Sequence, residues 1–271
     1  MALLPSVPHS TPSPVPPPLV AFAGLPCADA LAARDFALRF FPVFDFQRHT
    51  VAALFCTPMF EGDGAGAIYG HGAFRFGPLE WAEIDCAILE HANAFAAQLL
   101  KQGIVAAVGA SVSFSTLDDP RGRALYREAL RGAHADTQPN LVIKIEDIPD
   151  AAGAQRVGML VQSLKGLAPR VWVHLPGSHV PMGGHEMLSA MGLVLSMPAK
   201  LPFHGMQTEA RWLARQAQTQ SALACMDHVD KPNELDVVRG AGVRFAAGMA
   251  LGRPVLAATA EPDEIRSVLY A

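Results

Sequence analysis

Five histidines crowd the second half of the chain: His174, His179, His185, His204 and His228. Imidazole titrates near neutral pH, so each could serve as base, acid or transition-metal ligand. His174 and His228 stand at the ends of apolar runs, and His228 directly follows Asp227. Together they offer the nitrogen and oxygen donors that zinc or a similar ion accepts. No dedicated metal spacing accompanies them, and a solvated or capping role is the plainer expectation. The thiol of Cys56 is a second candidate. A histidine that lowered its pKa would make it a nucleophile or redox sensor, whereas burial would leave it inert. The run Gly62-Asp63-Gly64-Ala65-Gly66, with Gly70 and Gly72 after it, follows an apolar segment as a phosphate-binding loop would. No helix with an acidic residue about 20 positions on opens after it, so a flexible loop is expected.

The elements that must position these groups are legible as alternating short apolar runs and longer amphipathic segments. Eight strands are expected at Arg39–Phe46, Val51–Cys56, Ile104–Phe114, Leu141–Asp147, Val171–His174, Leu193–Met197, Leu223–Met226 and Val243–Ala246. Helices are expected at Leu79–Gln102, Pro120–Gly132, Ala151–Gly166, Gln207–Thr219, Pro232–Gly240 and Asp263–Tyr270. In the first, Leu79, Ile84, Ile88 and Leu89 recur at helical spacing, and Gly132, Gly166 and Gly240 are placed to serve as left-handed C-terminal caps. Eight strands with intervening helices point to an α/β chain closed as a (β/α)8 barrel, whose chemistry sits at the C-terminal strand ends. Residues 1–20 carry seven prolines, so residues 1–25 read as a proline-rich disordered tail, either a solvated leader or a polyproline docking segment, ahead of one domain over 26–271.

Bulk properties exclude several classes. With 271 residues, 51% of them hydrophobic, the chain can bury a large core. Its formal charge of -4 and 21 scattered Lys and Arg form no basic face, so nucleic acid is not expected as a partner. Cys27, Cys56, Cys86 and Cys225 form no C-x-x-C pair, which argues against a zinc knuckle or disulfide scaffold and for reduced thiols in the cytoplasm. No segment approaches the roughly 20 apolar residues that span a bilayer, so no membrane partner is expected either.

Several segments resemble EAL domains in order. Phe41-Pro42-Val43-Phe44-Asp45 and Val51-Ala52-Ala53-Leu54 are similar to Q-P-I-V-D followed by E-A-L. Glu83-Ile84-Asp85 with Ala87-Ile88-Leu89-Glu90 resembles the family's first long helix, and Ser111-Val112-Ser113-Phe114-Ser115 its V-N-L-S strand. Leu141 to Asp147 resembles L-E-I-T-E, Val171 to Gly177 takes the place of D-D-F-G, and Met226-Asp227-His228-Val229-Asp230 that of A-E-G-V-E. Ala247-Gly248-Met249-Ala250-Leu251-Gly252-Arg253-Pro254 is similar to the closing Q-G-Y-x-x-G-R-P. The resemblance implies a modified TIM-like barrel with its first strand antiparallel.

Active members of that family hold two hard divalent cations with oxygen ligands and hydrolyse cyclic-di-GMP. By the resemblance the signature glutamate is Ala52, its downstream phosphate-gripping arginine Cys56, the asparagine Ser113 and the L-E-I-T-E metal glutamate Lys144. The aspartate pair is His174 and Leu175, the catalytic lysine and its neighbouring aspartate Ser196 and Pro198, and the closing glutamine Ala247. Acids remain at Asp147, Asp227 and Asp230. An ammonium at Lys144 repels a second cation and has no lone pair to give, and it is expected to pair with Asp227. The expected function is therefore a catalytically inactive regulatory module that binds a protein partner, or a second copy of itself, in cyclic-di-GMP-related motility, attachment or cell-cycle control, with no cofactor. Two alternatives stay open: a metal-independent cyclic-di-GMP receptor, for which the lost arginine and the few aromatics are unfavourable, and an enzyme of altered chemistry using His174, Lys144 and Asp227.

Overall fold

The computed structural model describes residues 37–61, 67–71, 76–133, 135–177, 190–198 and 200–255. The proline-rich segment 1–25, Cys27, the glycine run 62–66 with Gly72, the stretch Pro181–Met187, His179 and the expected last helix lie outside these residues.

The chain opens with β1 (Ala37–Asp45) and β2 (Thr50–Glu61), an antiparallel pair. The Asp45 carboxylate accepts from the backbone N–H groups of Gln47 and Arg48, and His49 takes a left-handed φ of 54°, which turns the chain. A short β3 (Ala67–Tyr69) extends β2 antiparallel. Then follow α1 (Pro78–Lys101), β4 (Ala107–Ser113), α2 (Phe114–Asp118), α3 (Pro120–Gly132), β5 (Leu141–Glu146) and α4 (Ala154–Leu164). The series ends with β6 (Arg170–Leu175), β7 (Gly192–Ser196), α5 (Phe203–Thr219), β8 (Leu223–Asp227), α6 (Pro232–Ala241) and β9 (Phe245–Ala247).

The strand order β1-β9-β8-β7-β6-β5-β4-β2 closes on itself through the β1–β2 ladder, giving an eight-stranded barrel with β3 outside the ring. β2 and β4 to β9 pair parallel where they neighbour, and β1 is antiparallel to both its partners. This is the modified barrel that the sequence resemblance implies. All eight expected strands form. The additions are β3 and α2, the latter a single turn capped by the Ser113 hydroxyl.

Two apolar layers hold the barrel. Its lumen is filled by Val43, Phe55, Val142, Trp172, Val194 and Phe245 with small residues between them. Phe55 and Trp172 fit because Gly109 and Gly192 face them: a Cβ there would lie 2.2 Å and 2.7 Å from the two rings. The larger layer lies between strands and helices and takes Ile84, Ile88 and Leu89 of α1. Leu79, expected on that face, is 45% exposed in the first helical turn. Gly166 has the expected left-handed cap conformation, with φ of 87°. The other two expected caps do not: Gly132 closes α3 from within, and Gly240 lies inside α6, whose cap is Gly242 at φ 77°. The helix runs one residue past Gly240, so the stop falls on the next glycine. No helix among the described residues is long and apolar enough to cross a membrane.

Candidate functional site

At the C-terminal ends of the strands, polar side chains replace the apolar lumen. Lys144 on β5 points inward because it alternates with Val142, which is in the lumen, and it is 5% exposed. Its ammonium lies 2.5 Å from Glu146 Oε1 and 3.0 Å from Asp227 Oδ2, with the Phe55 ring 5.0 Å away. The pairing with Asp227 expected from the sequence is therefore present. Burial alone would lower the lysine pKa, but the two carboxylates outweigh it and raise it. The same contacts hold Asp227 below its ordinary range and Glu146 well below, against desolvation. A locked ammonium between two ionised carboxylates is a poor proton donor or acceptor at neutral pH.

Glu146 continues into a buried relay. Its Oε1 accepts from Ser111 Oγ at 3.0 Å, and its Oε2 lies 2.9 Å from His71 Nδ1. His71 Nε2 lies 2.6 Å from Asp85 Oδ1, and the ring stacks on Trp81 at 4.6 Å. Asp85 also accepts from the Thr116 hydroxyl at 2.6 Å and the Ser113 N–H at 2.9 Å. Burial disfavours a charged His71, yet Asp85 and Glu146 prevail and raise its pKa to about 9. His71 is thus an imidazolium donating from both nitrogens. Glu146, His71 and Asp85 were not singled out as site residues by sequence. Glu146 shares the face of Lys144 two residues on, which is a usable signal, whereas nothing in the glycine-rich stretch around His71 marks it.

A second group adjoins the first. His174 Nε2 lies 2.9 Å from Ser196 Oγ, and His228 Nδ1 lies 3.2 Å from the same hydroxyl. Desolvation lowers the His174 pKa to about 4, despite the opposing charge of Glu146, so its ring is neutral. His228 follows β8 with a left-handed φ of 56°, and its N–H donates to Asp227 Oδ1 at 2.9 Å. These groups line a cavity of about 670 Å³, together with Asp147 and Glu209. Among the described residues lining it there is no lysine, arginine, phenylalanine, tyrosine or tryptophan.

Other expected positions are distributed differently. Cys56 does not reach the mouth: it is fully buried in the layer between strands and helices, and burial raises its pKa. The cause is a β-bulge. Val43 pairs with Ala53 but Phe44 with Val51, so Ala52 is the extra residue, and from Ala53 onward the odd-numbered residues face inward. Phe55 and Thr57, rather than Ala52 and Cys56, line the small cavity at Lys144. Leu175 packs in the outer layer at 1% exposure, although it also touches the edge of the large cavity. Ser113 accepts from Ser115 N–H as the α2 cap. Asp147 is exposed at φ 54° on the rim, and Asp230 accepts from Met249 N–H at 2.9 Å, fastening the loop after β9. Ala247 is buried in the lumen beside Val43. His204 is exposed on α5 and is not among the residues lining the cavity of His174 and His228. Among the described residues, no three His, Cys, Asp or Glu side chains group so as to hold a metal ion.

No protein-family model and no curated protein matches the sequence. Solved structures match in shape. The PaMucR phosphodiesterase in its c-di-GMP complex aligns with a TM-score of 0.65 and 16% identity, over 84% of this chain and 94% of that one. The EAL domain of Xanthomonas citri FimX, in complex with c-diGMP, gives 0.62 and 16% over 84% and 92%. An EAL domain protein from Listeria monocytogenes EGD-e gives 0.61 and 12% over 89% and 95%. The fold is that of EAL domains; chemistry has to be argued from the site.

Proposed function

We propose that the chain is an EAL-type module in cyclic-di-GMP-related signalling, inactive as a cyclic-di-GMP phosphodiesterase and working in the cytoplasm through a protein partner. Lys144 carries this reading. Two-metal hydrolysis needs anionic oxygens free to surround two divalent cations about 3.5–4 Å apart. Here Glu146 and Asp227, two inward acids of the mouth, are both ion-paired to one internal ammonium. A cation arriving there would have to displace Lys144 and then share the space with its charge.

The composition of the cavity favours a binding surface over a nucleotide site. A cyclic dinucleotide brings two phosphates and two stackable bases, and the described lining offers no arginine, lysine or aromatic ring other than imidazole. The receptor reading therefore has little support. Use of His174, Lys144 and Asp227 together as acid and base is unfavourable, since Lys144 and Asp227 are locked in an ion pair.

The test is calorimetric titration of cyclic-di-GMP into the full chain, with and without Mg²⁺. The proposal expects no heat of binding in either. Metal-independent binding would replace it with the receptor reading, and metal-dependent binding with turnover would overturn it.

A further inference from the structure

Ser196 is the last residue of β7, its hydroxyl sits between two imidazoles, and all three residues line the 670 Å³ cavity. A serine oxygen has one proton to donate and lone pairs to accept with. If His228 Nδ1–H donates to Oγ, the serine proton is directed at His174 Nε2, 2.9 Å away. That assignment suits the surroundings, because His228 Nδ1 faces Asp227 Oδ1 at 3.9 Å and a carboxylate favours the proton on the near nitrogen. A neutral His174 ring whose single proton sits on Nδ1 presents Nε2 as the acceptor for the serine proton. The result is a hydroxyl in contact with a neutral base, within the 2.6–3.2 Å reach that nucleophile activation requires. It lies at the strand ends where barrel chemistry is found.

From this geometry we infer that Ser196 is a nucleophile and His174 its general base, acting on small electrophilic esters that enter the cavity. Ser196 Oγ attacks the carbonyl carbon while His174 Nε2 takes its proton. The tetrahedral adduct expels the alcohol, which leaves with that proton, and an acyl group remains on Oγ. Water then attacks the acyl carbon with His174 again as base, the serine recovers its proton, and a carboxylic acid is released. No metal or redox partner is needed, so the chemistry is independent of the carboxylates held by Lys144. It goes beyond the signalling role and is compatible with loss of phosphodiester hydrolysis.

The experiment uses a fluorophosphonate probe on the folded full chain, where Ser196 Oγ displaces fluoride from phosphorus. One covalent adduct is expected by intact mass, mapping to Ser196. Labelling should vanish in Ser196→Ala and slow at least tenfold in His174→Gln, with the circular dichroism of both variants unchanged. Should a variant not fold, the adduct site on the wild-type chain decides the matter alone. No adduct on the folded wild type, an adduct on another residue, or equal labelling of folded Ser196→Ala overturns the inference.

Discussion

Lys144 on β5 and Asp227 on β8 meet at 3.0 Å although β6 and β7 separate them around the barrel. The contact crosses the lumen, which is narrow enough at the strand ends for one lysine stem to span. Nearly complete burial keeps the pair from salt screening, and Glu146 takes the remaining face of the ammonium. The mouth is thereby built around an internal cation that the chain itself supplies.

Removing that cation should be costly. Lys144→Met keeps the stem but leaves Glu146 and Asp227 facing each other, and an uncompensated buried charge costs about 3–5 kcal/mol. Urea denaturation should show a loss of that size, and adding Asp227→Asn should restore part of it. A loss below about 1 kcal/mol would mean that the pair is solvated and contributes little.

Alkaline pH should loosen the fold through His71. Its pKa in the folded chain is raised to about 9 from an ordinary 6.5. The groups facing it are Asp85, Glu146 and the Trp81 ring, with Lys144 one contact further. A raised pKa gives stability that is full below about pH 6.5 and is lost as pH climbs through about 9, on the order of 3 kcal/mol. Urea midpoints at pH 6 and pH 9.5 should therefore differ, and His71→Gln should shrink the difference. Equal midpoints in the wild type would show that His71 is neutral in the fold.

Two glycines separate steric demand from backbone demand. At Gly248, φ is 145° and a Cβ would lie 2.4 Å from the backbone N and O of Val229. Backbone cannot yield as a side-chain tip can, so Gly248→Ala should cost more than about 2 kcal/mol. Gly103 has φ of 73° with nothing within 4 Å of its Cβ, so Gly103→Ala should cost only about 1 kcal/mol. Thermal melts of the two variants should rank in that order, and the reverse order would discredit the close approach of Gly248 to Val229.

Divalent cations should leave the melting temperature where it is. A ligand that binds the folded state alone stabilises it by about 2.7 kcal/mol at a hundredfold excess over its Kd, so millimolar Mg²⁺ or Mn²⁺ bound at micromolar affinity would be plain in a melt. An upward shift that Lys144→Met enhances would locate a metal at the mouth after all.

The barrel was legible in the sequence because its strands are short apolar runs bounded by glycine, proline or polar residues, and because the antiparallel β1 came with motifs in recognisable order. Lys144 with Asp227 followed from the same ordering. Cys56 faces the outer layer because the bulged Ala52 resets the alternation of every later side chain on β2, and no composition rule signals a bulge between Val51 and Ala53. Asp85 and His71 escaped for a different reason. Each is a polar residue satisfied by partners far along the chain, and Asp85 sits on a helix face whose other members are apolar. Sequence periodicity reports which way a side chain points, not which distant group completes it.

The central claim is that an internal ammonium stands where two-metal hydrolysis would need cations, and its most direct test is turnover. Purified full chain would be incubated with cyclic-di-GMP and Mn²⁺ or Mg²⁺, and the nucleotides separated by chromatography. The cyclic form should remain intact over many hours at either metal. Metal-dependent appearance of the linear dinucleotide, absent when the metal is chelated, would contradict the account.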